Sequence, residues 1–417
     1  MRILAFSVLV ATSLALLCPA YAEGTDTGLG FEAARLRGLH YKKVPSRKLS
    51  QEKASEYVLR LLDEELKPGP TLTKEVFLKE LKLMPRKTTI KKILSKLYAS
   101  QVRGIYDPAK KIFLVVDGVS DQSASAIAAS MAGMDASEIY TVHELEHAIQ
   151  DQHFNLSRIS KGVAANSDRA FAAQSLIEGD ATLVMMKYTM DKIGLDEGSI
   201  DLSNPGMLSY SEKDLQELGL EGYFDEATGM TGLTDPVLSS APLYFQEWLS
   251  VPYNRGMVFV EAVRKQGGWT AVNKAFKTLP ASSEQIYHPE KFLGAKDNPK
   301  TVQVGKVPRL LGKYKFVGQD TAGEFTMRIL ARQYDRDVAG AEGWGGDTYL
   351  SYSNGSQGFS VWYTVWDTQR DAVEFKAMMD PILRDCGKHR KAEYTAIRNE
   401  DKVKVYLGVP PTFISRF

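Results

Sequence analysis

The sequence predicts an α+β fold, in which a mainly helical region with one small strand hairpin precedes a smaller α+β region. Helical periodicity, with capping and stop signals, dominates residues 23–298. After about Asn298 the pattern changes to short alternating segments separated by glycine-rich turns at Gly343–Gly346 and Asn354-Gly355. We therefore expect one domain over residues 23–298 and a second over residues 299–417.

Residues 1–22 have the three parts of a secretory signal peptide. Arg2 provides a positive charge, Ile3–Leu17 form an apolar run, and Ala20-Tyr21-Ala22 is a small-residue cleavage site. The run falls short of the ~20 residues that span a bilayer, and no later segment is apolar enough to do so. We expect an exported protein, periplasmic or extracellular, whose mature chain begins at Glu23 and has no membrane span.

The cysteines and the charge balance limit the lipid anchors, disulfides and partners that we expect. A lipoprotein anchored through Cys18 is an alternative, but Leu17 and Pro19 fit it poorly because lipidation normally requires a small residue just before the cysteine. Without residues 1–22 the chain keeps Cys386 alone, so we expect no internal disulfide. It then balances 52 − 1 = 51 basic against 51 acidic residues and has no dense basic run with interleaved aromatics, so we expect no nucleic-acid partner. The oligomeric state stays open, as does a pro-segment role for residues 23–50.

Three helices and then a strand hairpin are predicted between Ser50 and Val116. Ser50 is a plausible N-cap for a helix that ends at Pro68-Gly69-Pro70. Further helices are expected at Lys74–Leu83 and Lys91–Ser100. A hairpin is then predicted, with strands at Gln101–Tyr106 and Lys111–Val116 joined by the turn Asp107-Pro108-Ala109-Lys110.

Two long helices are expected in the middle of the chain. The spacing of Asp135 and Glu138 is that of a capping box, which predicts a helix of about eighteen residues ending at His153 or Phe154. The second long helix runs from about Asp168 to Met190. Loops are expected at Asn204-Pro205-Gly206 and Gly222–Asp235, and helices at Pro252–Lys265, Thr270–Lys277 and Thr368–Arg384.

The first of these helices carries the pattern HExxH at His143-Glu144-Leu145-Glu146-His147. Residues four apart on a helix lie within ~40° of each other, so both imidazoles reach one cation. Glu144 and Glu146 lie about 80° to either side of the histidines, so the angle alone does not choose the catalytic base. The motif gives that role to Glu144, and Glu146 is expected to be an outer contact or solvated. The alternative for His143 and His147 is two ordinary core histidines.

A catalytic zinc site requires a third protein ligand, for which Glu178 is the best candidate. It is an acid in an apolar, small-residue helix, where an unpaired carboxylate would be costly to bury. The alternative is a salt bridge to a base such as Arg169. Asp180 falls ~200° from Glu178 and points away from it unless Gly179 distorts the helix, so the alternative role for Asp180 is to support a ligand.

Two further residues lie close to the motif on the same helix. Asp151, four residues after His147, could orient a ligating imidazole. His153 projects off the metal stripe, and we do not expect it to be a ligand.

The residues around the motif resemble a family of exported bacterial HExxH proteins, whose metal helices are similar to those of thermolysin. The resemblance starts from HELEHAIQDQHF at His143–Phe154 and IEGDAT at Ile177–Thr182. It extends over most of the chain, through Val102–Pro108, Pro252–Val260, Ser282–Phe292, Gly343–Tyr352 and Val365–Phe375. The resemblance implies a gluzincin zinc metallopeptidase with Glu178 as the third ligand, acting on a peptide or protein substrate.

By the same resemblance, the hairpin would bind extended substrate by main-chain pairing. Tyr253 and His288 would be the donors to the oxyanion, because each lies in a family-like block beside prolines, and Tyr244 and Tyr287 are weaker candidates. Two other hypotheses are a non-catalytic zinc-binding envelope or extracellular protein, and a scaffold with a vestigial site. A serine or cysteine hydrolase does not compete, since we find no GxSxG and Cys386 has no motif around it.

Overall fold

The computed structural model describes residues 7–10, 26–117, 136–199, 202–203 and 236–417. The predicted α+β class is confirmed, with many helices and two separate sheets. The predicted cleavage site at Ala20–Ala22, the expected N-cap Asp135 and both expected loops fall outside the described residues. Among the described residues, no helix combines the length and the apolarity that a membrane crossing needs.

The first sheet contains the predicted hairpin. Its strands, in chain order, are β1 (Ser7–Val10), β2 (Ser46–Ser50), β3 (Val102–Asp107) and β4 (Ile112–Asp117), and they lie in the order β1-β3-β4-β2. β3 and β4 are antiparallel, with Tyr106 opposite Phe113. The Asp107 carboxylate accepts hydrogen bonds from the backbone of Ala109 and Lys110, at 2.9 and 3.1 Å, which explains why the turn forms where its sequence predicts.

Four helices precede or flank this sheet: α1 (Asp26–Arg37), α2 (Gln51–Glu65), α3 (Pro68–Glu80) and α4 (Ile90–Gln101). Ser50 caps α2 as predicted, accepting a hydrogen bond from the backbone of Lys53. The helix predicted to begin at Lys74 begins instead at Pro68. Proline suits the first turn of a helix, where its missing N–H would have no partner, so the Pro-Gly-Pro segment starts α3 as well as separating it from α2.

The central helices are α5 (Ala136–Phe154), α6 (Leu156–Val163), α7 (Ser167–Ile193), α8 (Pro236–Ser239), α9 (Leu243–Lys277), α10 (Ser283–Tyr287) and α11 (Glu290–Leu293). α5 and α7 match the two predicted long helices. The two helices predicted at Pro252–Lys265 and Thr270–Lys277 are the two arms of α9, which breaks at Gly267 and Gly268. Gly268 has φ +63°, a conformation that other residues rarely adopt, so the glycine pair sets the position of this break.

The second sheet forms the C-terminal region together with two helices. Its elements are β5 (Leu310–Leu311), β6 (Tyr314–Asp320), α12 (Gly323–Gln333), β7 (Trp344–Ser353), β8 (Gly358–Trp366), α13 (Gln369–Gly387), β9 (Glu393–Asn399) and β10 (Lys402–Val409). The strand order is β5-β6-β7-β8-β10-β9, and every neighbouring pair is antiparallel. α13 is the predicted late helix, and Thr368 and Asp371 form a capping box at its start.

The apolar core crosses the boundary expected near Asn298. Phe77 of α3 stacks on Tyr349 of β7, with ring centroids 3.9 Å apart, and packs edge-on against Trp362 of β8. One cluster of buried residues thus includes α2, α3 and α4 from the first region and α12, α13 and the sheet from the second. The division into two domains stays a prediction, and the packing shows that the first region covers part of the second sheet.

α7 lies at the centre of the helical region. It is buried along nearly all of its length and on every side, against α1, α5, α6 and α9. A helix enclosed on all sides has no solvated face. Every buried polar side chain of α7 therefore requires a partner within the protein, and Glu178 is one of these.

Candidate metal centre

Three potential ligands meet between α5 and α7. His143 Nε2 lies 3.0 Å from His147 Nε2 and 3.2 Å from Glu178 Oε2, and His147 Nε2 lies 3.3 Å from the same oxygen. All three side chains are almost completely buried. The predicted ligand set is thus brought to one point. Glu178 contacts these histidines rather than Arg169, the alternative ion-pair partner.

The spacing of these atoms fits a tetrahedral zinc ion. Zinc binds imidazole nitrogen and carboxylate oxygen at about 2.0–2.1 Å, so two ligand atoms at corners of one tetrahedron lie about 3.3 Å apart. The three observed separations are 3.0, 3.2 and 3.3 Å. Two imidazoles and one carboxylate are also a donor set that catalytic zinc uses. The residues present therefore fit zinc.

Burial and mutual charge give His143 and Glu178 the protonation states that a metal requires. Burial lowers the pKa of His143 to about 4, which keeps this imidazole neutral at physiological pH. Although burial opposes ionisation of Glu178, His147 and His143 together hold its pKa at about 2. A neutral imidazole and an ionised carboxylate bind a divalent cation without first losing a proton. Burial also acts to lower the pKa of His147, but the charge of Glu178 outweighs it and raises that pKa, so a metal would displace a proton there.

Polar neighbours orient two of the three ligands. The Gln174 side-chain amide donates to Glu178 Oε1, which turns the other oxygen of Glu178 toward the histidines. His147 Nδ1 lies 2.9 Å from Gln150 Oε1. Neither glutamine was assigned a role from the sequence, and their spacing from the ligands, three residues after His147 and four before Glu178, is the signal that could have found them.

Glu144 lies between α5 and β3 of the first sheet. The backbone N–H of Tyr106 in β3 donates to Glu144 Oε2 at 2.9 Å. Glu144 also lies close enough to His147 for its charge to act on that imidazole. Gly104 provides the space, because a Cβ at this position would lie 3.2 Å from Glu144 Cγ. A strand thus holds the carboxylate that the motif assigns as the base.

Two tyrosines flank the cluster. Tyr253 of α9 stacks on His143, with ring centroids 5.7 Å apart and planes 22° apart. Burial, reinforced by the charges of Glu178 and Glu144, raises the pKa of Tyr253 well above its usual value, so the phenol remains a hydrogen-bond donor. Tyr98 of α4, which was not predicted, is buried within reach of the Glu178 charge, and burial raises its pKa as well. No local motif marks Tyr98.

His288 lies elsewhere. Its Nε2 is 3.0 Å from Glu324 Oε1 of α12 and 3.3 Å from Arg328 of the same helix. Tyr287 packs its ring against Arg328, and Tyr244 lies in the apolar core beside Phe325. Of the four oxyanion donors suggested by the sequence, Tyr253 is the one that contacts a metal-cluster residue within the part of the chain that the structure describes.

In the portion of the chain that the structure describes, Asp151, Glu146 and His153, the other candidates on α5, form no hydrogen bond with the metal cluster. Asp151 does not orient an imidazole, which corrects that expectation. It accepts hydrogen bonds from the Tyr106 hydroxyl at 3.0 Å and from the backbone of Leu156 at 2.9 Å, where it links α5 to β3 and α6. Glu146 is fully buried rather than solvated. His153 binds the backbone of His40 and points away from the cluster, as expected.

A second cluster of carboxylates surrounds a lysine. Glu284, Asp297 and Asp367 lie close together, but the ammonium of Lys291 lies between them at 2.5, 2.9 and 2.8 Å. Lys291 thus supplies the positive charge at that place. Within the described ranges, the cluster of His143, His147 and Glu178 is therefore the candidate metal centre.

Comparison with known proteins bears on the C-terminal region. Residues 310–408 match the model of a family described as a domain of unknown function, DUF8575. This range coincides with the second sheet, from the start of β5 almost to the end of β10. The chain matches no curated protein and no solved structure.

Proposed function

We propose that the protein is a zinc-dependent peptidase of the gluzincin type. The observation that carries the proposal is the triangle formed by His143, His147 and Glu178, whose sides match a zinc tetrahedron. Glu144, the residue next to the first histidine, lies beside this triangle in a buried position. Three protein ligands leave the fourth zinc position open, as in catalytic zinc sites, whereas structural zinc sites are normally closed by four protein ligands.

Bound zinc would lower the pKa of a water molecule and polarise the scissile carbonyl. Glu144 would take the proton of the attacking water and later deliver it to the leaving nitrogen. The hydrogen bond from Tyr106 holds one oxygen of Glu144 in place for both transfers. The protonated phenol of Tyr253 would donate to the oxyanion that develops on the carbonyl.

The edge of β3 is a suitable place for an extended substrate. β1 pairs antiparallel with β3, placing Ser7 opposite Tyr106 and Val8 opposite Ile105. β1 belongs to the predicted signal peptide, so export and cleavage would remove it. The main-chain groups of β3 that pair with β1 would then be available to pair with a peptide, while the Tyr106 N–H stays bound to Glu144.

The test compares the wild type with Glu144→Gln, using zinc analysis and digestion of a mixed peptide library. We expect about one zinc per chain in both proteins and a 10²–10⁴-fold slower cleavage by the variant, which loses the base but no ligand. Glu56→Gln makes the same chemical change on the exposed surface of α2 and should cleave at the wild-type rate. A wild type that holds zinc but cleaves nothing would instead support the non-catalytic zinc-binding hypothesis.

A further inference from the structure

The Nδ1 side of His147, opposite the metal cluster, is joined to the first helix by a chain of hydrogen bonds. His147 Nδ1 lies 2.9 Å from Gln150 Oε1, and Gln150 Nε2 lies 3.0 Å from Asp180 Oδ2. Arg37 Nε, at the end of α1, donates to Asp180 Oδ1 at 2.7 Å. All four side chains have no solvent exposure. Three helices thus contribute to one buried path that ends at a metal ligand.

The chemistry of the groups gives this path a direction. Gln150 Nε2 faces two groups that only accept hydrogen bonds, the carboxylate of Asp180 and the backbone carbonyl of Ile177. The amide nitrogen of Gln150 must therefore lie on that side, and its oxygen must face His147. An amide oxygen only accepts, so His147 carries its proton on Nδ1 and presents the lone pair of Nε2 to the metal cluster.

Arg37 is held in place by two contacts. Nε binds Asp180, and the guanidinium lies 4.5 Å from the centre of the Trp269 ring. Within the described residues, Arg37 Nη1 and Nη2 have no hydrogen-bond partner. Trp269 immediately follows the glycine break in α9, so this break helps to place the ring against Arg37.

Arg37 is also the cation that faces the buried carboxyl groups of Asp180 and Glu146, at 2.7 and 3.8 Å. Without it, Asp180 would be an uncompensated buried charge and would be expected to rearrange. Gln150 would then lose one of the two acceptors that fix its orientation. The effect would reach His147, although Arg37 lies far from the metal cluster along the path.

We propose that Arg37 is a positioning residue for the metal centre, which acts through Asp180 and Gln150 to hold His147 in the tautomer that ligates through Nε2. The inference rests on the proposed zinc site. It makes α1 a permanent part of the centre rather than a pro-segment to be removed on activation.

The test measures zinc affinity, by competition with a chromogenic chelator, on metal-stripped full-length protein whose folding is verified by circular dichroism. We expect Arg37→Met and Gln150→Leu each to weaken zinc binding 10–100-fold, the range found for outer contacts of metal-bound histidines. The double variant should bind zinc about as weakly as the weaker single variant, because both changes act on one path. Arg37→Lys should recover part of the affinity, since it restores the charge but not the planar guanidinium.

Cobalt(II) supplies a spectroscopic measurement that does not depend on activity. The visible absorption bands of the cobalt-loaded protein should change in Arg37→Met and in Gln150→Leu, because the orientation of His147 changes. Arg35→Met is the matched control. It removes an arginine of the same helix whose partners, Glu32 and Asp191, are on the surface, and it should leave zinc affinity and spectrum unchanged.

Zinc affinity in folded Arg37→Met within twofold of the wild type, or effects of Arg37→Met and Gln150→Leu that simply multiply, would overturn the proposal. If Arg37→Met does not fold, Asp180→Asn and Gln150→Leu take its place with the same measurements. These results are independent of peptide cleavage. A wild type that binds zinc but cleaves no peptide would refute the proposed activity. The zinc affinities of the variants would still decide the role of Arg37.

Discussion

We predict that Gly179→Ala disrupts the crossing of α7 and α9 beside the candidate metal centre. The two helices touch through their backbones, and a Cβ at position 179 would lie 2.0 Å from the carbonyl carbon of Gly256. Conversely, a Cβ at position 256 would lie 2.1 Å from the backbone oxygen of Ser175. Carbon atoms normally approach to about 3.5 Å, so Gly179→Ala requires the helices to separate by about 1.5 Å.

The cost of this separation is large because both colliding groups are backbone. Overpacking a core typically costs about 1–3 kcal/mol, and we expect the free energy of unfolding to fall by at least about 3 kcal/mol. The separation would also move Glu178, which adjoins Gly179, away from Tyr253, which lies about one turn before Gly256. A misplacement of this size at a reacting centre lowers rates by about 100-fold, and zinc affinity should fall by at least tenfold.

Urea unfolding and zinc competition on Gly179→Ala measure both effects. Gly162→Ala is the control, since Gly162 lies in α6 and a Cβ there meets nothing within 4 Å. Alanine should leave that helix unchanged or stabilise it by up to about 1 kcal/mol. If Gly179→Ala retains the stability and the zinc affinity of the wild type, the helices are not packed backbone to backbone and the reasoning fails.

Three further predictions concern the site and its surroundings. Glu178→Ala should lose most of its zinc while Asp180→Ala loses less, which metal analysis of the two purified variants will show. Gly104→Val should push the Glu144 side chain from its place, lowering kcat at least tenfold with zinc content unchanged. Asp168→Asn should change how stability depends on pH. Burial raises the pKa of Asp168 from 3.8 to about 7, so its contribution to stability is full below about pH 4 and is lost as pH rises through 7. That loss amounts to about 4 kcal/mol at most. The variant cannot ionise. Its free energy of unfolding, measured in urea, should therefore rise relative to that of the wild type between pH 5 and pH 8.

Each of these three predictions has an opposing result. Equal zinc content in wild type and Glu178→Ala would remove Glu178 from the ligand set. Wild-type kcat in Gly104→Val would show that the β3 edge does not restrict Glu144. A stability difference between Asp168→Asn and wild type that stays constant from pH 5 to pH 8 would show that Asp168 does not ionise in this range.

Features that depend on residues close together in the chain were predicted well. The extent of α5 was predicted from the capping signal at its start, and the two histidines share a face because four residues make slightly more than one turn. Glu178 was chosen because burying a lone acid is costly; the structure shows it buried in α7 beside both histidines, and its role as a ligand stays a prediction. The hairpin was predicted from alternation and from a turn whose Asp107 binds its own backbone.

Features that depend on distant residues could not be predicted. The sequence by itself determined the α+β class, the helix that carries HExxH and which side chains on that helix face the same way, because backbone periodicity is a local property. Only the tertiary structure decided that Gln150 rather than Asp151 holds His147, that Tyr253 rather than His288 lies against the metal cluster, and that Arg37 reaches Asp180. The helix period gives the direction of a side chain but not its partner. The partners depend on how closely the helices approach, and for α7 and α9 that distance is set where Gly179 meets Gly256.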